Sequence, residues 1–290
     1  MRTAEAISHG AISVVNAMAT GKGAALGIQL WTKARVTLTD NPGQIRAHII
    51  GAPSESTSLT CTTVKIILNA LAKKYGAVVE TESNIPIAVG LKSSSAASNA
   101  VAAATLTALG PRTKGIEIVR FGVRSSLKAR VTVTGAFDDA CACFFGGLVV
   151  TDNRTSRILK RYRPSRVGNQ ILLYVPDSKR YSGDIRKGSF KKITRLVELA
   201  HDEALRRNYL LSLTLNGIAY SSVLGYDLSP VNDALGAGAL AAGLSGKGPA
   251  IAAIVPDRKV EHVISAWKAY PGRIIETALN LKQATARVLN

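Results

Sequence analysis

The chain has 290 residues, 47% of them hydrophobic, which is enough for two modest domains or one large one. Aromatics at 5% with 25 glycines argue against an aromatic-rich sandwich and for closely packed helices and tight turns. The net charge of +18 needs a source: residues 154–207 hold 15 Lys/Arg against 5 Asp/Glu, so this segment alone supplies +10. Phosphate neutralisation on nucleic acid, attraction of small anionic substrates and a merely solvated basic face all fit such a charge. No aromatic–basic interleaving accompanies it, so no nucleic-acid partner is expected. No apolar run approaches the roughly 18–20 residues of a membrane span, and residues 1–20 lack the continuous apolar stretch of a secretory signal. Cys61, Cys141 and Cys143 have neither an even count nor metal-ligand spacing, so a reduced, cytoplasmic setting is expected.

In chain order, residues 8–16 are strand-like and run into a Gly21-Lys22-Gly23 turn. Residues 31–39 alternate as a strand and end at the turn Asp40-Asn41-Pro42-Gly43, after which 45–50 read as the returning strand of a hairpin. Helical spacing of Val64, Ile67, Leu68 and Leu71 predicts a helix over 58–75, and 77–81 a short strand. The Ala-rich stretch 94–109 has no internal Gly or Pro and stops at Gly110-Pro111, a strong helix signal. Residues 116–128 read as a helix, 131–133 as β-prone and 147–151 as a strand. A polar, basic stretch at 154–168 contains Pro164 and suggests a boundary between domains 1–158 and 159–290. Beyond it, 171–176 and 250–255 read as strands, and 190–208, 211–224 and 259–269 as helices. Mixed elements without a strict βαβ repeat indicate an α+β, two-domain chain.

Three segments carry chemistry. The first is Pro86-Ile87-Ala88-Val89-Gly90-Leu91-Lys92-Ser93-Ser94-Ser95-Ala96, a glycine turn whose serines open the Ala-rich helix. A helix N-terminus presents unpaired N–H groups and the positive end of its dipole, small residues admit a phosphate, and a hydroxyl there can ligate magnesium. Plain N-capping explains one serine; three in a row after Gly-Leu-Lys exceed what a cap needs. The Walker pattern is absent. The second is Gly243-Leu244-Ser245-Gly246-Lys247-Gly248-Pro249, either a flexible loop or one whose glycines, Gly246 and Gly248 among them, let backbone approach a ligand. The third is Thr134-Gly135-Ala136-Phe137-Asp138-Asp139-Ala140, adjacent carboxylates in a chain with only 19 acids. Such a pair caps a helix, accepts a hydroxyl proton or suits magnesium.

The serine-rich segment resembles the second motif of the GHMP kinases, with one extra serine, and its Gly-Leu-Lys-Ser-Ser-Ser-Ala form is similar to the archaeal shikimate kinases of that superfamily. Ala241–Ala250 resembles the third motif, its Ser-Gly-x-Gly-Pro form being also similar to homoserine kinases, and Thr134–Ala140 resembles the stretch of mevalonate kinases and galactokinases that carries a catalytic aspartate. Residues 8–23 resemble the opening of archaeal shikimate kinases, which puts Asn16 and Gly21–Gly23 beside the active cleft, although the commoner GHMP opening is absent. The resemblance implies a two-domain GHMP-kinase fold with its active site in the interdomain cleft. It assigns ATP to residues 86–96 with Gly246 and Gly248, and catalysis to Asp138, with Asp139 the alternative. The implied activity is phosphorylation of the 3-hydroxyl of shikimate, with another small-molecule kinase such as homoserine kinase as the alternative. Mevalonate kinases place a magnesium-binding glutamate about eleven residues before the aspartate. Leu127 and Lys128 stand there in this chain, which moves the metal role to Ser94 or Ser95 with an aspartate.

Overall fold

The structure is a computed structural model and describes residues 2–110, 112–132, 134–165, 169–177 and 187–289. The first sheet is built on β1 (Thr3–Val15) and the 18-residue β2 (Lys22–Thr39), paired antiparallel along most of their length. Both are buried on alternate or successive positions, consistent with a sheet covered on its faces. β2 serves two neighbours: its second half pairs with β4 (Gly76–Ser83) and its first with β5 (Leu148–Asp152), which carries β6 (Arg157–Tyr162) outside it. β3 (Ile45–Ile49) lies beyond β4, and β11 (Thr285–Leu289) pairs with β1 at the other edge. The second sheet has the order β10 (Arg273–Thr277), β7 (Asn169–Val175), β9 (Ile251–Pro256) and β8 (Ala241–Leu244), antiparallel throughout.

Eight α-helices are described: α1 (Ser58–Ala70), α2 (Ser93–Leu109), α3 (Gly115–Lys128), α4 (Phe137–Phe145), α5 (Thr194–Leu205), α6 (Tyr209–Leu224), α7 (Ser229–Gly236) and α8 (Val260–Trp267). α2 packs on β1 and β2 with α1, α3 and α4 around it, so 13 of its 17 residues are buried. Alanine suits that position, because a helix enclosed on every side needs small side chains for close approach. One apolar core runs from β1, β2 and α4 through β7, α5 and α6 into β8 and β9. Smaller cores lie under α1 and α2 and around Trp267. No described helix is long and apolar enough to cross a membrane.

The predicted hairpin is a correction. Residues 45–49 do form a strand, but it pairs parallel with β4, and β4 occupies the place beside β2. The helix α1 between β3 and β4 is the connection that parallel pairing requires. Residues 131 and 132 are not in a strand, and 133 lies outside the described residues. The turn predicted at 21–23 ends two residues earlier, so Lys22 and Gly23 already belong to β2. The stretch 190–208 is split, with a 3₁₀ turn at Lys187–Ile193 before α5. Of the basic segment, the described residues include the edge strand β6, where Arg161 covers the Phe145 ring at 4.3 Å. Charge on an edge strand also discourages strand addition.

Candidate active site

A cavity of about 400 Å³ opens at the start of α2, within the size range of small-molecule sites. Its floor is the turn from β4 into α2. Gly90 turns the chain with φ 92°, and a Cβ there would collide with the Ser245 carbonyl. Lys92 follows at φ 66° as the N-cap of α2. Ser93, Ser94 and Ser95 then line the cavity, where the first helical N–H groups lack intrahelical partners.

The segment predicted for ATP divides by orientation. Ile87, Ala88, Gly90, Lys92, Ser93, Ser94 and Ser95 line the cavity. Pro86, Val89, Leu91 and Ala96 are buried, the last three in the main core, where they anchor the turn. Gly246 and Gly248 line the opposite lip with φ 63° and 73°. Ser245 joins the two loops: its Oγ donates to Gly90 O (2.8 Å) and accepts from Ser13 N–H (3.1 Å). Asn16 ties the same lip to α6, donating from Nδ2 to Gly246 O (2.9 Å) and from its backbone N–H to Asn216 Oδ1 (2.8 Å).

Asp138 and Asp139 occupy the first turn of α4 and both line the cavity. Ala136 adopts φ 48° to start that helix, and carboxylates at its N-terminus are favoured by the dipole. Asp139 Oδ1 is 3.2 Å from Lys92 Nζ, an ion pair rather than an aligned hydrogen bond, and Lys92 Nζ also donates to Ser13 Oγ (2.7 Å). This lysine is nearly buried, 7% exposed, with its charge held at the turn into α2. Asp138 is 3% exposed, and its carboxyl is pushed up from 3.8 to about 7. Burial is the main cause and the Asp139 charge adds to it, while the Asn153 hydrogen bond and Lys92 oppose it.

The geometry accommodates a nucleotide phosphate group: glycines at 90, 246 and 248 keep backbone close, a lysine is in place, and a helix N-terminus faces in. A hard cation held by phosphates needs only a few further oxygens, and the hydroxyls of Ser94 and Ser95 supply that chemistry. No cluster of three or more His, Cys, Asp or Glu side chains suited to a metal occurs among the described residues. Ser13, Asn16, Thr32, Thr60 and Thr132 also line the cavity. Of these only Asn16 had a sequence signal, through the opening segment.

Two family profiles match the chain: "GHMP kinases N terminal domain" over residues 59–147 and "GHMP kinases C terminal" over 231–272. A shikimate kinase of Methanosarcina mazei is 41% identical over 277 residues, covering 95% of this chain and 94% of that protein. The chain belongs to the GHMP kinases, in the group of archaeal shikimate kinases. A shikimate kinase of Pyrococcus abyssi is 40% identical over 271 residues, covering 93% and 96% of the two chains. Among solved structures, a homoserine kinase from Cytophaga hutchinsonii superposes with TM-score 0.77 at 16% identity, covering 98% of this chain and 97% of that one. The Methanococcus jannaschii mevalonate kinase gives TM-score 0.77 at 14% identity, covering 95% and 98%. These likenesses show the fold: the chain has the α+β GHMP-kinase architecture. The cavity lies where the loop at 246–248 meets β1, the α2 turn and α4.

Proposed function

We propose that this chain is an ATP-dependent shikimate kinase that phosphorylates the 3-hydroxyl of shikimate to give shikimate 3-phosphate for aromatic amino-acid biosynthesis. The observation that carries a phosphoryl-transfer reading is one cavity lined by the α2 N-terminus, the fixed Lys92 cation and the Asp138–Asp139 pair. The acceptor is supported by relatives of about 40% identity, over more than nine-tenths of the chain, that carry this name. In this reading residues 1–158 and 159–290 are the two functional halves, the setting is cytoplasmic, and neither nucleic acid nor membrane is a partner.

ATP supplies the γ-phosphoryl group when bound, and magnesium offsets its charge. The backbone N–H groups and hydroxyls of Ser93, Ser94 and Ser95 would hold phosphate oxygens, and the Ser94 and Ser95 hydroxyls would supply oxygen ligands to the cation. Gly90, Gly246 and Gly248 let backbone come close, and Lys92, steadied by Asp139 and Ser13, places a positive charge where negative charge gathers. Asp138 accepts the proton of the acceptor hydroxyl, a role for which a carboxyl near 7 is suited. Phosphoryl transfer asks mainly for positioning and charge neutralisation, and this cavity offers both.

The test is ADP release with ATP and a panel of shikimate, homoserine, mevalonate and galactose. Turnover should be confined to shikimate. Preference for homoserine or another acceptor would replace the substrate assignment, and no turnover with any of them would remove it.

A further inference from the structure

We infer that Asn153 is a positioning residue for the reaction, holding Asp138 by both its backbone and its carboxylate so that one carboxylate oxygen is committed and the other is left for the acceptor proton. The inference rests on the proposed base role of Asp138. Asn153 follows β5 in sequence, fifteen residues past Asp138, and its amide closes a ring on that residue. Asn153 Nδ2 donates to Asp138 Oδ1 (2.7 Å), and Asp138 N–H donates to Asn153 Oδ1 (3.2 Å). Thr151 Oγ1 donates to the same Asn153 oxygen (2.7 Å) and also points at Gly23 O (3.3 Å). Only one orientation of the amide satisfies this set. Flipped, its NH₂ would face the Asp138 N–H and its oxygen would face a carboxylate. The backbone of Asn153 is itself anchored, its N–H donating to Gly21 O (2.8 Å).

Three consequences follow from this geometry. The remaining oxygen, Oδ2, lies over Gly23, the position at which a Cβ would meet it first. The carboxylate therefore has one rotamer, fixed from both sides. The amide donation favours the anion, opposing both burial and the neighbouring Asp139. The charged and titratable groups facing Asp138 are Asp139 and Cys141 on its own helix, Lys92 from the α2 turn and Tyr220 from α6, with the Asp139 N–H and the Asn153 amide as hydrogen-bond donors. Asn153 is neutral, so it tunes the base without adding charge to a cavity that must receive phosphates. Asparagine supplies here what a lysine or arginine would supply only by adding a cation.

The experiment compares Asn153→Ala, Thr151→Val and Asp138→Asn in the full-length enzyme. The readouts are kcat, the KM for ATP, and the pH dependence of kcat/KM. Asn153→Ala should lower kcat by about 10–100-fold, the size of loss typical when a group orienting a functional side chain is removed. The KM for ATP should hold, and the acidic limb of the profile should move to higher pH. Thr151→Val keeps the side-chain shape and removes the hydroxyl that orients the amide. It should move the limb in the same direction by less, which keeps the test decisive where Asn153→Ala folds poorly. An unmoved limb in both variants overturns the inference, whatever their melting temperatures, because a purely structural clamp changes stability without changing the ionisation of the base. An inactive Asp138→Asn beside an unmoved limb leaves the base in place and removes only the role of Asn153. Full activity in Asp138→Asn removes the base assignment, and this inference with it.

Discussion

Gly23→Ala tests the site with a single methyl group. Gly23 sits in β2 directly against the carboxylate of Asp138. A Cβ there would stand 2.6 Å from Asp138 Cγ and 3.1 Å from its Cβ, and nearer still to Oδ2. Ordinary contact begins at 3.4 Å, so the shortfall at Cγ is about 0.8 Å. Neither side yields easily. Gly23 is paired in register with Thr151 of β5, and Asp138 is held by Asn153. Forcing extra volume into such a site costs about 1–3 kcal/mol. At roughly 2–4 °C per kcal/mol, Tm should fall by roughly 2–12 °C. The larger effect is on chemistry, since a displacement on the order of 1 Å costs on the order of 10²-fold in turnover. The assay is coupled ADP release at saturating ATP and shikimate, with thermal unfolding in parallel. Gly236→Ala is the control: nothing lies within 4 Å of its added methyl, and its φ is not in the left-handed region. A folded Gly23→Ala enzyme with wild-type kcat would refute the reasoning, because the carboxylate would then be either free to move or unimportant.

Asp138→Asn should lower kcat by roughly 10²–10⁴-fold while ATP affinity holds. Loss in Asp139→Asn with full activity in Asp138→Asn, measured by the same coupled assay, would move the base one residue along. Because Asp138 is pushed up to about 7, kcat/KM should fall as pH drops through about 7, where the base takes up a proton. For stability the sign is reversed. A raised carboxyl favours the folded state at low pH, and that contribution is lost as pH rises through about 7, so chemical unfolding of the free enzyme should show it shrinking between about 4 and 7. The Ser94→Ala, Ser95→Ala double variant should weaken ATP binding measured by calorimetry. Unchanged affinity and turnover would remove these hydroxyls from the phosphate site.

The sequence announces α2 almost to the residue, because alanines without Gly or Pro and the Gly110 stop are local signals. The convergence of residues 86–96, 134–140 and 243–249 on one place was expected through the family resemblance rather than from spacing. α4 was invisible as a helix: Ala140, Cys141, Ala142, Cys143, Phe144 and Phe145 are buried on every face, so no amphipathic period marks it. β3 showed its alternation but not its partner, since strand pairing is decided by what competes for the edge of β2, and β4, whose Glu80 and Glu82 meet Arg35 and Lys33 of β2, takes that place. The parallel pairing was nonetheless legible in principle, because a helix between two strands is the signature of a crossover. The Lys92–Asp139 pair and the Asn153 clamp join residues 47 and 15 positions apart, and no local pattern encodes such contacts.

The edge strand β11 bears on the order in which the molecule is assembled. Residues 285–289 pair with residues 3–7, and Arg287 meets Glu5 at 3.1 Å, so β1 obtains its outer neighbour from roughly 280 residues downstream. At about 5–20 residues per second, the β1 edge waits roughly 15–55 s on the ribosome for its cover. An uncovered strand edge is a template for pairing with other chains. A polypeptide interrupted before residue 285 keeps that template, whatever the state of its active site. Ribosome stalling late in the message therefore yields a product whose sheet edge is prone to aggregate.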